Sequence, residues 1–274
     1  MTALLTPQPD AALDIVVREA LKSTDLDTIG HAVVIDLQTM RRGRYRETEN
    51  IYPASVIKVA LMVEAYRQIA DGRLDLDTAV TVSAANQTTT AETTPLAPGY
   101  RATLRELIDL MITASDNIAT NELYDLLGRE TVTEAMRGLG LTTFLAGRKL
   151  SGSEPLIDDP GMTGRNRLPP DEIALLLALI ALDRVPFAAE QRAILARCLH
   201  NEKLAAGLSR GDRFMHKTGE TDEVSHDAGI LVTSNGRRYV VVLYTSPPPL
   251  PDRSYASHYN AQLAEWMRRL REYL

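Results

Sequence analysis

The chain has 274 residues, of which 45% are apolar and 24% charged, with a formal net charge of -6. That length can bury one sizeable core, or a core with an attached lobe, and the composition is that of an ordered globular protein. The acidic balance excludes a nucleic-acid or anionic-membrane surface as the main partner; a lone Cys198 excludes an internal disulfide and a cysteine-based zinc site.

In chain order, Met1 to Asp10 carry no Lys or Arg and no apolar stretch follows, so they do not form a secretory leader. A chain that natively begins at Met1 is expected in the cytoplasm; one from which a leader has been removed is expected in the periplasm or outside the cell. A helix is predicted over Ala11 to Lys22, then a strand over His31 to Gln38, rich in β-branched residues. The basic cluster Arg41-Arg42-Gly43-Arg44 reads as a solvated hairpin turn leading to a second strand.

Val56 to Ile69 is apolar almost all round, the pattern of a buried helix. Thr103 to Ala114 has apolar residues at helical spacing, and further helices are predicted over Asn117 to Leu127, Glu130 to Leu139, Asp171 to Asp183 and Ala189 to His200. Pro169-Pro170 followed by two acids marks the start of the third of these, and Cys198 is expected to pack inside the last. Between Leu145 and Pro170 no period emerges, and Gly, Pro, Ser and Asp are dense; so long a loop in a compact domain is usually functional or disordered. The longest apolar run, Ile173 to Leu182, is too short to span a bilayer.

Strand patterns return over Ala228 to Ser234 and Arg237 to Thr245, joined by Asn235-Gly236, the dipeptide of a type I′ hairpin turn. A closing helix, His258 to Leu274, puts Tyr259, Leu263, Trp266, Met267 and Leu270 on one face, which assigns Trp266 to the core. Strands at both ends with helices between predict an α+β fold. It is an antiparallel sheet of about five strands, flanked by terminal helices, with an all-helical lobe inserted. Residues 1–50 and 208–274 are expected to form the sheet-and-helix domain, and 51–207 the inserted helical domain, with the active site between them.

Three short motifs carry chemistry. Ser55-Val56-Ile57-Lys58 opens the buried helix, so the two polar side chains share a face near a helix N-terminus that favours negative charge. A lysine partly desolvated there can give up its proton and accept one from the serine. Ser115-Asp116-Asn117 breaks two helices and, alone, reads as an N-cap. Lys217-Thr218-Gly219 ends a strand and, alone, reads as a solvated edge lysine with a turn glycine. In this order, the trio S-x-x-K, S-D-N and K-T-G resembles the class A β-lactamases and penicillin-binding proteins, with similar separations and a similar order of helices and strands.

That resemblance implies a role for each matching position. Ser55 is the acylated nucleophile and Lys58 its proton acceptor, directly or through water. Ser115 passes a proton to the leaving nitrogen, and Asn117 binds the side-chain amide of the substrate. Lys217 and Thr218 hold the substrate carboxylate, Gly219 lets the strand approach, and the backbone N–H groups of Ser55 and Glu220 form the oxyanion hole. Glu154, in the long loop, activates the water that releases the acyl group.

Three departures from the family pattern stand out. Asp158 replaces an asparagine four residues after Glu154, and Asp159 follows; neighbouring carboxylates raise one another's pKa. The arginine before the loop glutamate is absent, with Gly152 and Ser153 in its place. Glu220 stands where relatives carry a small residue, and an acid there repels a substrate carboxylate unless it points away. The five histidines show no metal-ligand spacing.

The expected function is therefore a serine hydrolase that opens the β-lactam ring of penicillins and cephalosporins through an acyl-Ser55 intermediate. It acts as a monomer on a small-molecule substrate, with no metal or organic cofactor. The alternatives are a D,D-peptidase or esterase-like hydrolase of the same fold, or a penicillin-binding module without turnover.

Overall fold

The sheet is built from both ends of the chain. The computed structural model describes residues 5–48, 50–153, 155–246 and 256–274. Six strands lie in the order β1 (Gln8–Pro9), β3 (Arg41–Tyr45), β2 (Gly30–Asp36), β8 (Arg238–Thr245), β7 (Ser225–Val232) and β6 (Arg213–Glu220). All pairings are antiparallel except that of β1 with β3. The strand beyond the expected five is β1, whose two residues are too short to show a period.

Helices cover both faces, so the central strands are buried throughout and their alternation sorts side chains between two cores. Ala32 and Val34 join Tyr239, Val241 and Leu243 beneath α1 (Ala11–Lys22) and α8 (Asn260–Arg271). In that layer Trp266 is fully buried, its indole N–H donating to the Val17 carbonyl at 3.4 Å. Val33 and Ile35 join Val240 and Val242 on the other face, beneath α6 (Pro170–Ala181). That core continues into the lobe through α2 (Lys58–Ala70), α3 (Leu104–Thr113), α4 (Asn117–Leu127) and α5 (Arg129–Gly138). Among the described residues no helix is long and apolar enough to cross a membrane.

Four local expectations are corrected. Arg41 to Arg44 lie in β3, not in a turn; the turn is 37–40, and α1 packs so closely on Gly43 that a Cβ there would lie 2.5 Å from Leu13 Cγ. The β7–β8 connection is the five residues 233–237, closed by the Thr233 N–H on the Arg237 carbonyl at 2.9 Å. Only Gly236 in it takes a positive φ, 84°, whereas a type I′ turn needs two such residues. The lobe is not all helical: β4 (Ala79–Thr81) pairs with β5 (Arg101–Thr103), strands shorter than a recognisable alternation. The helix expected to reach His200 is α7 (Ala188–Leu195), so Cys198 is buried in the turn beyond it.

Candidate active site

Ser55 lies in a 3-10 turn, Ala54–Ile57, that leads directly into α2, whose first residue is Lys58. Ala54 just before it has φ 47°, and Ser115 has φ 56°. Both are non-glycine residues in the left-handed region, a strain of order 1 kcal/mol each that a packed surround must impose. They are the residue before the candidate nucleophile and the candidate proton donor.

The Lys58 side chain is fully buried, and its Nζ lies 2.6 Å from the Ser115 carbonyl, 2.8 Å from Asn117 Oδ1 and 3.1 Å from Ser115 Oγ. Burial, reinforced by the charge of Lys217 and only partly opposed by Asp116, pushes this amine well below the ordinary lysine range. The neutral amine fits the same contacts. Its two N–H groups serve the two carbonyl oxygens, and its lone pair can accept the hydrogen of Ser115 Oγ. Direct proton transfer from Ser55 has no hydrogen bond to follow here; the amine faces Ser115 and Asn117.

The two readings of Ser-Asp-Asn divide between its residues. Asp116 is the N-cap, its carboxylate accepting the Ala119 N–H at 2.8 Å, so Ser115 and Asn117 on either side are free to face Lys58. Asn117 also donates to the Thr89 carbonyl at 3.2 Å. The segment around Thr89 forms one wall of the site, and the long loop packs on it. There the Gly152 N–H donates to Thr88 Oγ1 at 2.9 Å, and a Cβ on Gly152 would overlap the Thr89 carbonyl.

The opposite wall is β6, the edge strand of the sheet. A Cβ on Gly219 would lie 2.9 Å from the Pro53 carbonyl, 3.1 Å from Val56 Cγ2 and 3.2 Å from Ala54 Cβ, so the strand touches the Ser55 turn only because this residue has no side chain. Between the walls opens a cleft of about 880 Å³, lined by Ser55, Ser115, Asn117, Thr218 and Glu220 among others.

Lys217 does not line the cleft. Its side chain is fully buried, its Nζ donates to the Thr218 carbonyl at 2.9 Å, and burial pushes its pKa down to about 8. The cation that does reach the cleft beside β6 is Lys203, which no motif marked. Its Nζ contacts Glu220 Oε2 at 2.7 Å and the Gly219 carbonyl at 3.2 Å.

Behind β6 both nitrogens of His216 face oxygens, Asp227 Oδ1 at 2.8 Å and Asn201 Oδ1 at 3.2 Å, an arrangement that requires the protonated ring. Burial disfavours that charge, but Asp227 outweighs it and pushes His216 up to about 10. His226 is the opposite case: burial pushes it down to about 3, and the neutral ring accepts the Thr245 N–H and faces the Tyr52 carbonyl.

Glu154, expected to activate the deacylating water, lies outside the described residues. Asp159, expected to raise a neighbouring carboxylate's pKa, has partners of its own. Burial alone would raise this carboxyl, but the ion pair with Arg129 and the Lys149 backbone N–H hold it below the usual carboxylate range. At the start of the long loop the buried Lys149 Nζ contacts Asn86 Oδ1 at 2.6 Å and Asp125 Oδ2 at 2.7 Å, which ties the loop to the lobe.

The turn that carries Ser55, with the buried Lys58 behind it and the β6 edge strand beside it, is the architecture of the β-lactamase and penicillin-binding-protein superfamily. The β-lactamase of Sphaerobacter thermophilus has the same fold, with a TM-score of 0.77 at 25% identity over 94% of each chain. PBP-A gives 0.81 at 24% identity, over 98% of this chain and 100% of its own. The model of the beta-lactamase enzyme family matches residues 17–268, and the chain belongs to that family. It is also 31% identical over 112 residues to D-alanyl-D-alanine carboxypeptidase DacB2 of Mycobacterium tuberculosis, a match to 41% of this chain and 37% of that relative's length.

Proposed function

We propose that this protein hydrolyses β-lactams of the penicillin and cephalosporin type through an acyl-enzyme on Ser55. The observation that carries the reading is the buried Lys58 amine, its pKa pushed down by burial, bonded to Ser115 and Asn117, which line the same cleft as Ser55. Ser55 Oγ bonds to the lactam carbonyl carbon, and its proton passes to Lys58 through Ser115 or a water. The tetrahedral oxyanion is held by the backbone N–H groups of Ser55 and Glu220. Collapse breaks the C–N bond while Ser115 protonates the nitrogen and is replenished from Lys58. Water, activated by Glu154, then adds to the ester carbonyl; the acyl group leaves as its acid and Ser55 regains its hydrogen.

Intact mass and optical turnover test this together, with a penicillin and a chromogenic cephalosporin. Turnover that vanishes in Ser55→Ala is the expected result; unchanged turnover in that variant refutes the assignment. The identity with a carboxypeptidase, together with Asp158 and Glu220, favours a second reading, a D,D-peptidase of the same fold. In that case penicillin leaves a long-lived adduct on Ser55, while an acyl-D-Ala-D-Ala peptide is cleaved.

A further inference from the structure

The reading of Ser55 as an acylated nucleophile leaves open what the cleft accepts beside β6, and here the inference rests on that reading. Lys203 is 1% exposed and Glu220 43% exposed, and their charges meet at 2.7 Å on the cleft wall next to Thr218. The buried ammonium is also bonded to the Gly219 carbonyl, and it is the Glu220 carboxylate of the pair that is exposed to the cleft. A substrate carboxylate arriving at Thr218 finds that cation already neutralised. It must displace Glu220, exchanging one ion pair for another and leaving a second anion beside the first.

Other charges on the cleft wall do not reverse this. Glu202, Asp222 and Glu223 add carboxylates to the lining. Of the cations, Arg165 lies 3.9 Å from Glu223 and stacks on the Tyr52 ring at 4.7 Å. Arg148 is a further cation of the lining. Buried Lys217 supplies positive potential but no accessible donor, since its Nζ is turned to the Thr218 carbonyl.

We propose that Glu220, paired with Lys203, is a built-in substitute for the substrate carboxylate, so that this cleft selects amides and esters whose group beside β6 is neutral or cationic over those in which it is anionic. Glu220 is thus a specificity-determining residue, and Lys203 the cation it masks.

The test measures acylation of Ser55 by three forms of one penicillin: the free acid, its methyl ester and a cationic 2-aminoethyl amide. Each rate is divided by the alkaline hydrolysis rate of the same compound. In Glu220→Gln the acid-to-ester ratio is expected to rise about tenfold, and in Lys203→Gln to fall, with the amide moving oppositely. The Lys203→Met/Glu220→Met double variant removes both charges, guards against an unpaired buried cation preventing folding, and is expected to keep the wild-type ratio. Equal ratios in wild type and both single variants overturn the proposal while leaving the acyl-enzyme intact. Absence of any Ser55 adduct with all three compounds overturns the underlying reading, and this inference with it.

Discussion

Replacing Gly219 by alanine tests whether contact between the edge strand and the Ser55 turn matters to both stability and chemistry. Gly219 needs no left-handed backbone; it needs the absence of a Cβ. The added carbon would stand closer than ordinary contact to three atoms at once, by up to about 0.5 Å at the Pro53 carbonyl. None of the three can swing aside, because one is backbone, one is the Cβ of Ala54 and one belongs to the buried Val56. Strand and turn must therefore separate by a few tenths of an ångström. Overpacking of this kind costs about 1–3 kcal/mol, which in a chain of this size lowers the denaturation midpoint by roughly 2–10 °C.

The same displacement moves the Glu220 N–H away from the Ser55 N–H. Since a 1 Å misplacement costs on the order of 100-fold, about tenfold is expected in kcat/KM. Gly138→Ala is the matched control: it ends α5, a Cβ there meets nothing within 4 Å, and helix propensity favours alanine by about 0.5–1 kcal/mol. Differential scanning calorimetry and penicillin acylation rates, measured on both variants, decide the matter. If Gly219→Ala melts and reacts like Gly138→Ala, the close-approach argument is wrong.

Three further outcomes are expected. With a carboxylate-bearing penicillin, kcat/KM should fall as pH rises above about 8, because Lys217 is cationic below that value and loses its charge through it; the methyl ester should show no such limb. In the proposed mechanism the Lys58 amine, held below its usual range, accepts a proton only when neutral, so both compounds are expected to share a fall toward acid pH, and a Lys58→Met variant should lose the reaction rather than shift the limb. For the pair behind β6, Asp227→Asn should destabilise by about 3–5 kcal/mol near neutral pH. The folded pKa of His216 is raised, so the stabilisation is fully present below about 6.5 and is lost as pH rises through about 10. Urea titrations of wild type and variant should therefore converge toward pH 10.5; a pH-independent gap would show that the imidazolium contributes nothing.

Periodicity alone identified the long elements. α1 and α4 begin and end at the expected residues, and the apolar face of α8, with Trp266, is in the core. Those elements satisfy local and global preference together, and a buried stripe repeats often enough to be read. The ordered trio of motifs identified the family. Where the signal was local and short, reading failed: Gly43 suggested a turn because glycine serves turns, and only the packing of α1 on β3 reveals that it serves a close contact instead.

The candidate site divides in the same way. Ser55, Lys58, Ser115, Asn117, Thr218 and Gly219 were legible, since each belongs to a motif whose spacing is local along the chain. Lys203, Thr89, Lys149 and Arg129 were not, because the partners that place them are distant in sequence, 16 positions for Lys203 and Gly219, 30 for Arg129 and Asp159 and 63 for Lys149 and Asn86. Sequence by itself determined which side chains are present, which helices and strands they ride on and which family they belong to. Only the tertiary structure decided that Lys217 is turned away from the cleft while Lys203 and Glu220 meet on its wall. Desolvation and pairing are properties of the space around a charge, and that space is assembled from segments that no local pattern connects.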